Sequence, residues 1–480
     1  YLGDRYEFQG FFFNYNFLNK ENGGSTDDRY ITDPAEVQGG STKVDAKTIP
    51  TNLSAAHSKV VGTELWLNNR YKVGYWHEEH INDTTVKRTY IPVTSFVWTL
   101  GYNDGKHLFL NSAPGEAANF FENTYLNAAG TRDRTTYWAL TNTFGVSLLE
   151  GFHKYAKAGL GAYITHQYRK YTQTIDTITG RDVTIPGLSP YPYDFKIPQS
   201  QGQNLVWVGA QLTKQRGSLL TYDATAQFGL VGPVAADVKL EGRVSTRLPV
   251  TRDSLRVTAY GSFANTAAPY ITEHYVSNHF IWSNNFGKER HYRLGGIVDV
   301  PLTHTQVNVG IENIQNLIYF NDQSLPAQYG DNIQVFSAQL YQRLKYRALH
   351  WDNRITFQTT SQADVLPLPK LAWYSNLYVT FKVAHVLDVQ LGMDCDYYTR
   401  YKGYAYQPAT MTFHTQQEAE VGNYPFMNLY LNFKLSKTRF YLMMSHFNQG
   451  IIGGDNYFSM PNYPLNPRRF QLGLSVDFAN

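Results

Sequence analysis

Asp237-Val238-Lys239-Leu240-Glu241-Gly242-Arg243-Val244-Ser245-Thr246-Arg247-Leu248 is the stretch on which the fold of this chain turns. Val238, Leu240, Val244 and Leu248 face one way, while Asp237, Lys239, Glu241, Arg243, Ser245 and Arg247 face the other. A period of two puts those sets on opposite sides of a strand. The pattern returns from Arg469 to Phe478, where Phe470, Leu472, Leu474, Val476 and Phe478 oppose Arg469, Gln471, Gly473, Ser475 and Asp477. It returns again at Asn428–Leu435 and Gln306–Glu312. One such strand fits a soluble sheet equally well. Across most of the chain, with no amphipathic helices to cover the apolar face, a one-sided sheet needs another cover. Lipid is the economical one, and a soluble β-protein is the rival.

Composition agrees. The 480 residues would ordinarily suggest several domains, but one closed sheet can absorb a whole chain, so residues 1–480 are expected to form one domain. Lys and Arg number 42 against 39 Asp and Glu, a balance that gives no reason to expect a nucleic-acid partner. Tyr 37, Phe 28 and Trp 8 make 15% of the chain, an excess suited to a membrane–water interface. A single cysteine, Cys395, excludes an internal disulfide. There is no apolar run of about 18 residues for a membrane helix. The mean hydropathy of −0.39 is no objection, because alternating strands hide their apolar face from averages. Tyr1-Leu2-Gly3-Asp4-Arg5 reads as a tight turn feeding a strand, so an N-terminal part is expected upstream.

Connections of two lengths alternate. Tight ones fall near Arg216-Gly217, Pro249–Arg252, Leu302–His304, Tyr346–Leu349, Ala384-His385 and Ser436-Lys437. Long ones fall near Lys20–Ser58, Ser112–Arg134, Thr174–Gln203, Asn321–Gly330, Tyr401–Glu420 and Asn448–Pro467. Short periplasmic turns and long extracellular loops are the asymmetry of an outer-membrane barrel. The strands this implies lie near 4–18, 59–78, 90–111, 135–149, 156–173, 204–215, 218–229, 236–248, 253–270, 289–301, 304–320, 331–346, 349–363, 373–384, 386–399, 421–435, 437–447 and 468–478. The expected fold is therefore an all-β, antiparallel transmembrane β-barrel of about 18 strands, with more if an N-terminal part precedes it. Tyr275–Trp282 must be part of one outer loop or supply two strands. Trp373-Tyr374, Tyr397-Tyr398, Tyr401 and Tyr319-Phe320 stand at strand ends, where an aromatic girdle or ordinary rim packing would place them.

Several motifs resemble the putative porin family of Bacteroidetes outer membranes. Near the C-terminus they are Tyr406-Gln407-Pro408-Ala409-Thr410, Gly422-Asn423-Tyr424-Pro425-Phe426, Leu431–Leu435, His446-Phe447-Asn448-Gln449-Gly450, Tyr457–Pro464 and Arg469–Leu474. Near the N-terminus they are Tyr1–Tyr6, Glu21–Gly24 and Asp27–Thr32, joined by Glu122–Ala128. The resemblance implies an integral outer-membrane location, contact with lipid and lipopolysaccharide, and assembly by the barrel-assembly machinery. It further implies that a terminal aromatic, here Phe478, is the candidate signal for that machinery. Val476-Asp477-Phe478 keeps only the second of the two aromatics with which the family's last strand usually ends.

Catalytic and metal motifs are weak. His77-Glu78-Glu79-His80 lacks the helical H-E-x-x-H spacing and runs toward the polar stretch Ile81–Thr89, so a solvated turn is expected rather than zinc. Asp394 and Asp396 share a strand face, but no third ligand accompanies them. Asp27-Asp28 and Asp331-Asn332 read as loop residues. G-x-S-x-G is absent, and Gly453-Gly454-Asp455 is not followed by the Lys of a phosphate-binding loop. The chain is expected to be no enzyme, with no cofactor and no metal.

What remains is the charged face. The pore-lining candidates are Lys239, Glu241, Arg243, Arg247, Arg256, Glu312, Arg343, Lys345, Lys382, Lys434 and Arg469. Their basic excess would favour anionic solutes, unless the charges pair across the lumen and merely fill it. Two functions stand open: a channel for passive passage of small solutes with mild anion preference, or a plugged barrel serving as a subunit of a larger assembly with other outer-membrane proteins.

Overall fold

The structure, a computed structural model, describes residues 5–25, 50–82, 85–153, 156–175, 183–185, 195–197, 200–217, 219–250, 254–452 and 458–477. The alternating stretches form one sheet of eighteen strands. In chain order they are β1 (Tyr6–Glu21), β2 (Ala56–Asn82), β3 (Thr85–Asn111), β4 (Thr131–Leu148), β5 (Gly159–Ile175), β6 (Ser200–Lys214), β7 (Leu220–Val231), β8 (Val238–Leu248) and β9 (Leu255–Thr266). There follow β10 (Glu289–Val300), β11 (Thr305–Phe320), β12 (Pro326–Tyr346), β13 (Leu349–Thr360), β14 (Leu371–Val383), β15 (Leu387–Tyr398), β16 (Phe426–Leu435), β17 (Thr438–Ser445) and β18 (Arg469–Val476). Each pairs antiparallel with the next. The expected strands and these eighteen correspond one to one.

Register separates the two faces. One cross-strand row runs Phe8, Asn69, Trp98, Phe144, Ile164, Val208, Phe228, Val238. The row beside it runs Glu7, Arg70, Val97, Gly145, Tyr163, Gly209, Gln227, Lys239, Ala264, His291. The first face is apolar and open: Phe144, Leu294 and Leu472 are 55%, 61% and 72% exposed. An exposed apolar surface that continuous needs an apolar solvent.

The second face is the concave one. The loop between β9 and β10 crosses to distant strands: Gln173 of β5 accepts from Val276 N at 2.7 Å, and Asp133 of β4 accepts from Asn278 N at 3.0 Å. Both belong, by alternation, to the face of Tyr163 and Gly145. Only a sheet curled around that face brings them together. The two edges meet where Ser25 N, after β1, donates to Asn462 O, before β18, at 2.9 Å. Among the described residues no ladder joins β1 to β18, so the expected closure is present there only as this contact between loops.

Four readings need correcting. Asn321–Gly330 is not one long loop: Asn321 Oδ1 accepts from Gln323 N and Leu325 N at 3.1 Å, closing a tight turn, and β12 starts at Pro326. Asp331-Asn332 therefore lies in a strand, not a loop. His77–His80 is no turn either, because it pairs with Val86–Thr89 and Glu78 bridges Arg88 at 2.7 Å. Tyr319 joins an apolar cluster around Ile314, Ile333 and Val365 rather than a girdle, because a bulge between Gln315 and Leu317 turns it inward. Tyr275–Trp282 forms a small hairpin off the main sheet, as one outer loop requires.

Packing on the concave face follows a repeated device. Tyr163, Tyr260, Tyr430 and Tyr441 each stand directly opposite a glycine: Gly209, Gly295, Gly392 and Gly473. Each ring lies across its glycine, where a Cβ would come within 2.2–2.5 Å of it. Replacing Gly295 by Ala also sets the new Cβ 2.7 Å from Val309 O, so ring and backbone must both shift. We expect Gly295→Ala to cost about 1–3 kcal/mol and to lower the midpoint of heat-modifiable gel mobility. Gly242→Ala, which meets nothing within 4 Å, should leave the midpoint in place. Equal midpoints for the two variants would remove the glycine from any role in packing.

Candidate functional site

Between β7 and β11 the concave face bounds a polar cavity of about 520 Å³ lined by Asp223, Glu241, Arg243, Tyr260, Arg293 and Asn308. Its floor is open because Gly295 and Gly310 continue the register row of Arg243 and Tyr260, leaving two positions with no side chain. Tyr260 spans them and donates to Asn308 Oδ1 at 2.8 Å. The Arg293 guanidinium lies 5.5 Å from the Tyr260 ring centroid. The chemistry here is a hydrated, mixed-charge surface held on rigid strands. It can attract and orient ions and polar solutes.

All eleven residues singled out in the sequence occur on this concave face. Arg243 stands opposite Asp223 and Tyr260, and Glu241 opposite Ser262, which is followed in register by Arg293 and Glu312. Lys239 stands opposite Gln227 and Ala264. Arg247 and Arg256 are directly opposite one another, two like charges in one row. Arg343 reaches Asp352 at 3.4 Å and donates to the Tyr341 hydroxyl at 2.7 Å. Lys382 reaches Asp388 at 3.3 Å, and Lys434 continues that row. Lys345 is opposite His350, and Arg469 opposite Ser445 near the loop end. Phe478 lies outside the described residues.

Sequence reasoning missed most of the acids. Asp223, Asp299, Asp352 and Asp388 share rows with Arg243, Arg256, Arg343 and Lys382 respectively. Asp394 and Asp396, first weighed as a metal pair, belong to the same face, and Asp394 accepts from Asn428 at 2.7 Å. Alternation in Leu387–Tyr398 carried that signal, since Asp388, Gln390, Asp394 and Asp396 fall on one parity. The basic excess is thus smaller than it looked. No group of three or more His, Cys, Asp or Glu side chains suited to a metal occurs among the described residues. A further cavity of about 600 Å³, lined by Leu160, Ala210, Leu212, Ala226, Leu240 and Phe263, opens on the apolar face and takes no part in this surface.

The long loops pack with one another at the mouth. Leu53, Ala56, Phe109, Ala117, Phe121 and Ala409 form a buried apolar core drawn from distant parts of the chain. Asn278 is its polar counterpart: Oδ1 accepts from Asn127 N at 2.8 Å and Nδ2 donates to Asn127 O at 2.8 Å. The neighbouring His279 stacks on Phe121 with centroids 3.9 Å apart. His279 Nδ1 donates to the Asn123 carbonyl at 2.9 Å, which leaves Nε2 to accept from the Thr131 hydroxyl at 2.7 Å. Burial holds this ring below the ordinary imidazole value, opposed in part by the Asn123 carbonyl. Near the meeting edges, Tyr406 donates to Glu21 at 3.3 Å, and burial, then the Glu21 charge, push its hydroxyl well up.

Comparisons with known proteins agree with this architecture. Among solved structures, the ferric preacinetobactin receptor BauA of Acinetobacter baumannii aligns over 97% of this chain and 69% of its own, at 10% identity and a TM-score of 0.50. The ferric yersiniabactin uptake receptor FyuA of Yersinia pestis aligns over 84% and 59%, also at 10% identity and 0.50. At that identity the likeness is one of fold. No curated protein matches the sequence. The sequence model of the family described as Putative porin matches residues 1–480. With that match end to end and this fold beneath it, the chain is an outer-membrane β-barrel protein and belongs to the Putative porin family.

Proposed function

We propose that the protein spans the outer membrane, on its family resemblance that of a Bacteroidetes cell, and passes small polar solutes through the space within its concave face, with a mild preference for anions. The polar cavity around Arg243 and Arg293 carries the reading. Among the described residues neither arginine makes an ion pair, whereas Arg343 and Lys382 are each within reach of an aspartate. Arg247 and Arg256 add two facing charges toward the short-turn end. Like charges directly opposite repel, and an anion passing between them relieves that repulsion. The reading assigns no catalysis and no cofactor. It places lipid and lipopolysaccharide against the apolar face and leaves insertion to the barrel-assembly machinery.

Selectivity tests this. In planar bilayers, wild-type protein should give a steady conductance whose reversal potential in a salt gradient favours anions. Arg243→Glu with Arg293→Glu should move that potential to the cation side. Arg343→Glu should move it less, because Asp352 already offsets that charge. Silent bilayers, from protein shown to be folded by gel mobility, would end the channel reading.

A second reading has its own observation. The mouth loops hold a buried core, and Phe413 and Ile451 stay 55% and 66% exposed on them. A capped barrel that docks another outer-membrane protein would look this way. The cap should respond to acid. His279 has a lowered pKa in the folded loops, so the loosened loops bind more protons. The stability it contributes is complete above its ordinary value near 6.5 and is lost as pH falls below that. Limited proteolysis of the loops should therefore accelerate on going from about pH 7 to pH 5, and less so in His279→Gln. Rates independent of pH in the wild type would dissociate His279 from cap stability.

A further inference from the structure

The wall formed by β1 to β3 differs from the charged side. Phe11, Phe13, Tyr15 and Phe17 occupy alternate positions of β1, on the parity of Glu7 and therefore on the concave face. Their ring centroids are 6.3, 6.0 and 5.9 Å apart in succession, with planes tilted by 17°, 33° and 28°. Rings so spaced touch one another along the strand, and Phe11, Phe13 and Phe17 still leave about half or more of their surface open to something else. Tyr15 is held in place across Gly62, where a Cβ would meet its ring at 2.4 Å. Phe13 and Phe17 are 47% and 64% exposed, and Trp66, directly opposite Phe11, is 38% exposed. The ladder follows the strand, and so runs between the two ends of the barrel.

The neighbours of the ladder are polar and nearly neutral. Glu64, opposite Phe13, accepts from Asn103 at 3.4 Å. Asn68 accepts from the Thr99 hydroxyl at 2.9 Å. Beyond them Gln167 donates to Thr141 at 2.8 Å. A row of flat apolar faces beside a row of amides, hydroxyls and one carboxylate suits a molecule that is itself two-sided. Sugar rings are: their C–H faces stack on aromatics and their hydroxyls form in-plane hydrogen bonds. An acyl chain would cover the amide row without offering its remaining donors and acceptors a hydrogen bond. A strongly anionic solute would meet Glu64.

We propose that this ladder is a binding track for neutral oligosaccharides, whose sugar rings stack on Phe13, Tyr15 and Phe17 while their hydroxyls bond to Glu64, Asn68 and Asn103. The track names a solute class for the pathway proposed above and rests on that reading. Aromatic faces supply stacking along the path, and the polar row supplies orientation.

The test is equilibrium binding to the full chain in a sugar-free detergent such as lauryldimethylamine oxide. Maltohexaose and cellohexaose are the probes, followed by calorimetry and tryptophan fluorescence. At least one should bind the wild type, with a fluorescence change that Trp66→Phe abolishes while the calorimetric heat persists. Phe13→Ala with Phe17→Ala should weaken binding about tenfold or more, and Phe13→Tyr with Phe17→Tyr should retain it. Absence of binding to the wild type, or equal affinity in the double alanine variant with unchanged heat-modifiable mobility, overturns the track. A tryptophan fluorescence change with decanoate but with neither sugar also overturns it, in favour of acyl chains. Bilayer conductance separates the two proposals: conductance without sugar binding removes the track alone, and binding without conductance removes the channel alone.

Discussion

Hydrocarbon offers no partner to a peptide N–H or C=O, and every feature of this sheet answers to that fact. Helices meet the demand within one segment; strands meet it only through neighbours. A meander in which each strand bonds to the one before and the one after satisfies β2 to β17 on both edges. Past the bulge between Val73 and Gly74, β3 continues beyond β4, which stops opposite Thr94. Among the described residues no strand lies on that outer edge of β3. A free edge is tolerable in water and costly in lipid.

The same constraint decides what side chains do. With backbones spoken for, the two faces are free to serve different solvents, and alternation divides them residue by residue. Outward rows carry Phe144, Ile164, Val208 and Phe228 on the apolar face. Inward rows carry charges, but also tyrosines paired with glycines, as Tyr260 with Gly295. Glycine ordinarily weakens a strand. Here the ring opposite takes the space that a Cβ would need, covers the bare backbone and keeps its hydroxyl for a partner such as Asn308.

Much of this was legible because the dominant signal is local. The eighteen strands follow from a period of two and from turns such as Ala384-His385, where both residues take positive φ, and Ser436-Lys437, where Ser436 does. The parity of Arg243 or Lys434 is fixed once its strand is recognised, so the polar face could be read residue by residue. What could not be read depends on neighbours distant in sequence. Asp352 neutralises Arg343 only because β12 and β13 pair in one register. Tyr319 turns inward only because of a bulge. The loop core, with Phe109, Phe121 and Ala409 in contact, joins segments hundreds of residues apart that carry no shared periodicity. The Gln173–Val276 and Asp133–Asn278 contacts that show the curl are of the same kind.

The inner wall is not uniform, and its two parts ask different things of a solute. From β7 to β15 it is a field of charges in which acids follow bases in register, as Asp223 follows Arg243 and Asp388 follows Lys382. Such a surface works at a distance, and its effect weakens as salt rises. From β1 to β5 the middle of the wall is aromatic and amide-bearing, and it acts only on contact. A solute drawn by charge gains nothing from Phe13 or Phe17, and a neutral one gains little from Arg243. Because both parts are built on strands of one sheet, neither can move without breaking ladders that lipid would leave unsatisfied. If the protein passes solutes as proposed, its selectivity is then a static property of its side-chain rows, and gating falls to the loops, whose core is joined by side chains rather than by the sheet.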